Sequence, residues 1–178
     1  MKDESEYVRR SVANNLNDIS KDNPQTVLRW AEQWLGDNKE TDRVIKHACR
    51  SLLKQGDTRA LSLFGFTKAN HITLKKFDVQ SKVCLGEKLH FSFLLKSQSA
   101  HLGRCRIEFA IDFMKANGKQ SRKVFKISEG EYPEQEKLVS RYFSFKEIST
   151  RKYYAGQHCL TIIVNGVDQS TKHFQLIF

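Results

Sequence analysis

Five basic or potentially basic side chains recur at helical spacing within one short stretch: Arg43, Lys46, His47, Arg50 and Lys54. At about 100° per residue they share one sector of a helix, and apolar residues take the opposite face. Like charges stacked on one stripe repel each other unless something anionic lies against them. A phosphate backbone would supply that anion through charge-assisted contacts that position a protein without reading sequence. A solvated helix face is the plain alternative. Shifting the chain by 36 residues lays Tyr7, Arg10, Ser11, Asn14 and Asp18 on the same stripe, with Asn17 beside Asp18. Arg10, Asn14 and Asn17 then become candidate polar contacts to DNA, and Asp18 stands next to the basic groups. Asp18 also lies near the end of its helix, where the dipole disfavours a carboxylate. An acid in that place is either paired with a nearby Lys or Arg or functional.

The elements that must position these groups come in two kinds. Residues 1–66 have helical periodicity. Val8, Val12, Leu16 and Ile19 predict a first helix, and Pro24 opens a second in which Val27, Leu28, Ala31, Trp34 and Leu35 form one stripe, stopped by Gly36. A third helix is predicted from Glu40 to Gln55, broken by Gly56, with a short fourth capped by Asp57 or Thr58 and ending near Phe66. The 36-residue shift lays Val8 on Val44, Val12 on Ala48 and Leu16 on Leu52, so the expectation is a pair of HEAT-like helical repeats. From about residue 70 the period becomes two. Leu89, Phe91, Phe93 and Leu95 alternate with polar residues. Ile107, Phe109, Ile111 and Phe113 alternate against Arg106, Glu108 and Asp112, and the sets Leu160, Ile162, Val164 and Phe174, Leu176, Phe178 follow the same rule. Asn117-Gly118 signals a hairpin turn. About seven strands are expected, in an immunoglobulin-like β-sandwich over 67–178. The fold class expected is therefore α+β multidomain, HEAT-like helical repeats followed by an all-β immunoglobulin-like sandwich.

The chain has 178 residues, 39% of them hydrophobic and 28% charged, with a net charge of +10. Residues 1–66 hold 11 Lys/Arg against 10 Asp/Glu; residues 67–178 hold 19 against 10. The excess sits in the second half, where Lys115, Lys119, Arg122, Lys123 and Lys126 crowd one hairpin with no acid among them. A polyanion is the natural partner, and Lys115, Lys119, Arg122 and Lys123 are further candidate DNA contacts. Cys49, Cys84, Cys105 and Cys159 make no CxxC pair, so a zinc site is not expected and free thiols of a reducing compartment are. No apolar run approaches a membrane span. The opening run Met1-Lys2-Asp3-Glu4 is charged rather than apolar, which argues against a secretory signal and for the cytoplasm.

The run from Ser5 to Ile19 (Ser-Glu-Tyr-Val-Arg-Arg-Ser-Val-Ala-Asn-Asn-Leu-Asn-Asp-Ile) resembles the late helical repeats of AlkC-type DNA alkylation repair proteins. So do His47-Ala48 through Arg50 and the segment from Leu61 to Phe66. The second half resembles the immunoglobulin-like extension of part of that family, through Lys115 to Lys119, Lys123 to Lys126, Gly156-Gln157-His158 and Val164-Asn165-Gly166. The resemblance implies a monofunctional glycosylase that hydrolyses the N-glycosidic bond of N-alkylated purines in double-stranded DNA, as a monomer, with no metal or cofactor. It implies Asp18 as the catalytic carboxylate. An alkylated purine already carries positive charge and leaves without a general acid. The sugar becomes oxocarbenium-like and is the part that needs a fixed carboxylate. It further implies additional helical units upstream, so that this chain is expected to be a C-terminal portion and inactive alone. A non-catalytic nucleic-acid or protein-binding module is the competing expectation. Asp18 separates the two, because a groove that only binds phosphate gains nothing from a central acid.

Overall fold

The computed structural model describes residues 5–178; the charged run at residues 1–4 lies outside the described residues. The chain divides into two compact units, the first ending at Thr67 and the second beginning at Lys68.

Among its described residues the first unit holds five helices: α1 (Glu6–Asp22), α2 (Pro24–Trp34), α3 (Lys39–Ala48), α4 (Arg50–Gln55) and α5 (Thr58–Leu63). Pro24 occupies the first turn of α2, where its missing N–H costs nothing. Asn38 caps α3 by accepting the N–H of Thr41 at 2.9 Å, and Asp57 caps α5 by accepting that of Ala60 at 2.8 Å. Gly56 takes the left-handed conformation that ends α4, φ 74°, and the Asp57 N–H returns to the Leu52 carbonyl. The core is built from Val27, Leu28 and Ala31 of α2, Ile45 and Ala48 of α3, Leu52 and Leu53 of α4, and Leu61, Phe64 and Phe66.

Two expectations for this unit fail. The helix predicted from Glu40 to Gln55 is broken at Cys49, whose ψ of 5° separates α3 from α4. Nor are helical repeats shown among the described residues. The positions that the 36-residue shift equates differ in environment: Val8 and Val12 are exposed, at 39% and 36%, whereas Val44 and Ala48 are buried. The buried face of α1 is instead Ala13, Asn17 and Ser20. Matching apolar spacing fixes a helical period, but it does not fix which face a neighbour covers. Helices of 17, 11, 10, 6 and 6 residues do not form a repeated pair. The chain as a whole is mainly β, so the expected α+β class with HEAT-like repeats is corrected.

The second unit has eight strands in two sheets: β1 (Ile72–Val79), β2 (Lys82–Cys84), β3 (Lys88–Ser97), β4 (Gly103–Met114), β5 (Gln120–Tyr132), β6 (Glu136–Ser144), β7 (Gly156–Val164) and β8 (Val167–Ile177). The order is β1-β3-β6 in one sheet and β2-β8-β7-β4-β5 in the other. All pairs are antiparallel except β2 with β8. Leu89, Phe91, Phe93 and Leu95 of β3 are fully buried and meet Ile107, Phe109, Ile111, Leu160, Ile162, Val164, Phe174 and Leu176 in one core. Each such side chain contributes about 1.5–3 kcal/mol on leaving water. Gly118 turns the β4–β5 hairpin at φ 74°, and Asn165 and Gly166 turn the β7–β8 hairpin with φ of 47° and 76°, the two-residue form that suits strand twist. Two details differ from the alternation. Phe178 is 75% exposed. Arg106 and Glu108, expected outside, are buried and joined at 2.7 Å, with Glu129 reaching Arg106 from β5 at 2.5 Å. Two carboxylates around one guanidinium make that burial tolerable.

Candidate functional site

Asn17 and Asp18 are neighbours near the end of α1. Asn17 points inward and is 1% exposed; its Oδ1 accepts the N–H of Ser51 at 3.1 Å. Ser51 is the second residue of α4, whose N-cap Cys49 offers no side-chain acceptor. Asn17 therefore satisfies an orphan donor at the start of α4 from another helix. Asn17, expected among the DNA contacts, is thus turned into the helical unit with its Oδ1 engaged. Asp18 points outward and is exposed, with Lys21 Nζ 2.6 Å from its Oδ1. The hydrogen bond and charge of Lys21, with Arg50 adding a smaller share, hold the Asp18 carboxyl below its usual value, so it is ionised at neutral pH.

Arg50 opens α4 and lies beside His47 of α3, Nη1 to Nε2 2.7 Å. Burial, then the charges of Arg50 and Arg10, push the His47 imidazole down, which keeps it neutral and able to accept from Arg50. A shallow cleft of about 340 Å³ lies between α1 and α3, lined by Arg9, Arg10, Arg43 and His47 and by Glu6 and Glu40. Glu40 meets Arg43 at 2.6 Å and Arg9 at 3.3 Å, and Glu6 meets Arg10 at 3.7 Å. The structure thus brings Arg10, Arg43 and His47 to one cleft. It adds Arg9, Glu6 and Glu40, which the stripe did not select because they fall outside its sector. Lys46 leaves the group: its ammonium sits over the rings of Phe64 and Phe66, 5.8 and 5.7 Å from their centres. Lys54 is exposed on α4, and Asn14 is half-buried one turn before Asp18.

In the second unit the β4–β5 hairpin carries its lysines at the tip. Lys115 N–H donates to the Lys119 carbonyl at 2.9 Å, and Lys119 N–H to Asn117 Oδ1 at 3.1 Å. Lys115, Lys119 and Lys123 are exposed. Arg122 is exposed but paired. Asp168 of β8 holds it through two contacts of 2.7 and 2.8 Å, and Lys126 meets Glu129 at 3.1 Å. Arg122 and Lys123 are also successive strand residues and point to opposite faces of the sheet. The hairpin is therefore basic at its tip and at Lys123, while Arg122 pairs with Asp168 of β8 and Lys126 with Glu129 of β5 itself. Among the described residues no three His, Cys, Asp or Glu side chains converge on a metal-sized site, and no helix is long and apolar enough to cross a membrane.

A family model described as the C-terminal Ig-like domain of the uncharacterised protein YhaZ matches residues 73–178. The uncharacterised protein YhaZ of Bacillus subtilis (strain 168) is 48% identical over 178 residues, which is 99% of this chain and 49% of that protein. Among solved structures, the Pseudomonas fluorescens alkylpurine DNA glycosylase AlkC bound to DNA containing an abasic site analog superposes with a TM-score of 0.93 at 36% identity, over 99% of this chain and 50% of that one. A β-glucosidase from Listeria innocua in complex with gluconolactone reaches a TM-score of 0.50 at 17% identity over 63% of this chain and 17% of its own, a likeness of fold alone. The chain spans about half the length of both YhaZ and AlkC.

Proposed function

The chain belongs to the family of the YhaZ C-terminal Ig-like domain, and from that footing we propose that it binds DNA carrying alkylated bases and takes part in hydrolysing the N-glycosidic bond of N-alkylated purines. The observation that carries this reading is the likeness to the alkylpurine DNA glycosylase, which extends over 99% of the chain and so takes in the helical unit as well as the sandwich. Asp18 is the residue to which we assign the chemistry. It is exposed, ionised and next to cationic groups, as a carboxylate must be to stabilise an oxocarbenium-like sugar beside a phosphate backbone. The cationic base leaves by itself, so the step needs no metal or cofactor, and we place the activity in the cytoplasm with the protein acting as a monomer.

In this reading Arg10, Asn14, Arg43, His47, Arg50 and Lys54 hold the backbone. A phosphate entering the cleft takes the place of Glu40 at Arg43 and of Glu6 at Arg10; both are surface pairs, weak and screened by salt. The Lys21–Asp18 pair is of the same kind. That pair also supports a second reading, a binding module without catalysis in which Asp18 only steadies Lys21. Binding is tested on this chain with duplexes that do and do not contain an abasic-site analogue, titrated at several salt concentrations. Arg50→Ala is expected to weaken binding alike on all sequences and to lower the salt slope by about one unit. Unchanged affinity and slope would reduce the stripe to a solvated face.

A further inference from the structure

A row of side chains crosses one face of the five-stranded sheet and has no part in the function proposed above. Register sets His173 of β8 opposite Cys159 of β7, Cys159 opposite Asp112 of β4, and Asp112 opposite Arg122 of β5. Directly opposed residues share a face. Leu160, the next residue on β7, is fully buried in the core, so the row looks away from it. Cys159 is half-buried and His173 exposed. The Cys159 Sγ lies 3.1 Å from His173 Nδ1, and the Gln120 side chain closes the other side, with Nε2 at 3.8 Å and Oε1 at 3.9 Å. The charged groups along the row are Asp112 and, beyond it, Arg122 already neutralised by Asp168.

The other three cysteines differ. Cys49 and Cys105 are buried, and burial pushes both thiols up to about 11. Cys84 is half-buried like Cys159, but burial and the adjacent Glu87 carboxylate raise its thiol. Cys159 combines access with an imidazole nitrogen in contact, the arrangement in which a neighbouring base assists a thiol nucleophile.

We propose that Cys159 and His173 form a reactive thiol–imidazole pair, a modification site that takes small soft carbon electrophiles. With the imidazole protonated on Nε2, Nδ1 takes the Sγ–H proton. The Sγ lone pair then forms the S–C bond while the leaving group departs with the electron pair of the bond it held. The proton stays on the imidazolium until water removes it. Gln120 can donate to the developing thiolate through Nε2.

The probe is iodoacetamide, added in limiting amount to the whole folded chain at pH 7, with the labelled cysteine identified by peptide mapping. Cys159 is expected to take the first label, about tenfold or more ahead of Cys84. His173→Gln, an exposed substitution, should slow Cys159 about tenfold at pH 7 and little at pH 9.5, where solvent removes the proton without help. A merely structural histidine would not produce that split. The Cys84 rate in the variant reports whether the fold is intact, and the wild-type ratio stands as a test without any variant. Equal labelling of Cys84 and Cys159, or a Cys159 rate at pH 7 unmoved by His173→Gln, overturns the proposal.

Discussion

Asn17 turns into the helical unit while Asp18, the next residue, turns out, and a helix separates them by about 100°. That rotation assigns them different work. Asn17 supplies an acceptor to the Ser51 N–H and so fixes the start of α4, which is where Arg50 stands. Asn17→Ala leaves that donor unsatisfied in a buried place, and the expected cost is about 1–3 kcal/mol of stability, read from the urea midpoint. DNA affinity of the remaining folded protein should fall only through the disturbed Arg50. A variant with wild-type stability and lost binding would return Asn17 to the DNA surface. Asp18 carries no such structural load in the first unit: its contact is Lys21, an exposed residue one turn further on.

At the scale of elements, β7 is held in place by His158. The imidazole is buried among Phe113, Phe145 and Phe174. Its Nδ1 accepts the Met114 N–H at 3.3 Å, and its Nε2–H donates to the Tyr154 carbonyl at 3.1 Å. Burial holds it below the ordinary imidazole value, offset only in part by that carbonyl. The unfolded chain therefore takes up a proton before the folded one does. Stability from this group is complete above about pH 6.5 and declines as pH falls towards the folded value. A urea midpoint that falls between pH 7.5 and 5.5, and a shallower fall in His158→Gln, are expected; the same pH dependence in both proteins would count against it. The strands themselves were legible because apolar side chains recur with period two in Leu89 to Leu95 and Ile107 to Phe113, and in β3 burial follows the same period. The Pro24, Gly36 and Gly56 boundaries were legible because proline fixes φ and suits a first turn, whereas glycine readily takes the positive φ, 94° and 74° here, that ends a helix. The break at Cys49 was not, since an apolar residue in a helical pattern carries no stop signal. Nor was the inward turn of Arg106 and Glu108, which depends on Glu129 arriving from another strand. The basic stripe was visible as a pattern. Its neutralisation by Glu40 and the loss of Lys46 to two phenylalanine rings depend on distances that sequence spacing does not contain.

For the whole molecule the charge divides unevenly, with the excess beyond residue 66. Within that half Arg122 pairs with Asp168 and Lys126 with Glu129. The lysines at the hairpin, Lys115, Lys119 and Lys123, have no ion-pair partner among the described residues. If the sandwich adds to DNA binding, changing these three to Ala lowers the salt slope by up to about three units without moving the melting temperature, whereas Arg122→Ala loosens the Asp168 pair and leaves the slope nearly as it was. An unchanged slope in the triple variant would leave the sandwich without a role on DNA. The chain spans half the length of YhaZ and AlkC, so catalysis is measured best in a form with their full length. The decisive quantity is the rate of release of N-alkylated purine from methylated duplex DNA by that form, with aspartate or asparagine at position 18. Asp18→Asn keeps the side-chain shape, so folding and DNA affinity should hold while excision falls by about 10²–10³, the usual consequence of losing one fixed electrostatic stabiliser. Excision at the normal rate with asparagine at position 18 would contradict the account and leave Asp18 as the partner of Lys21.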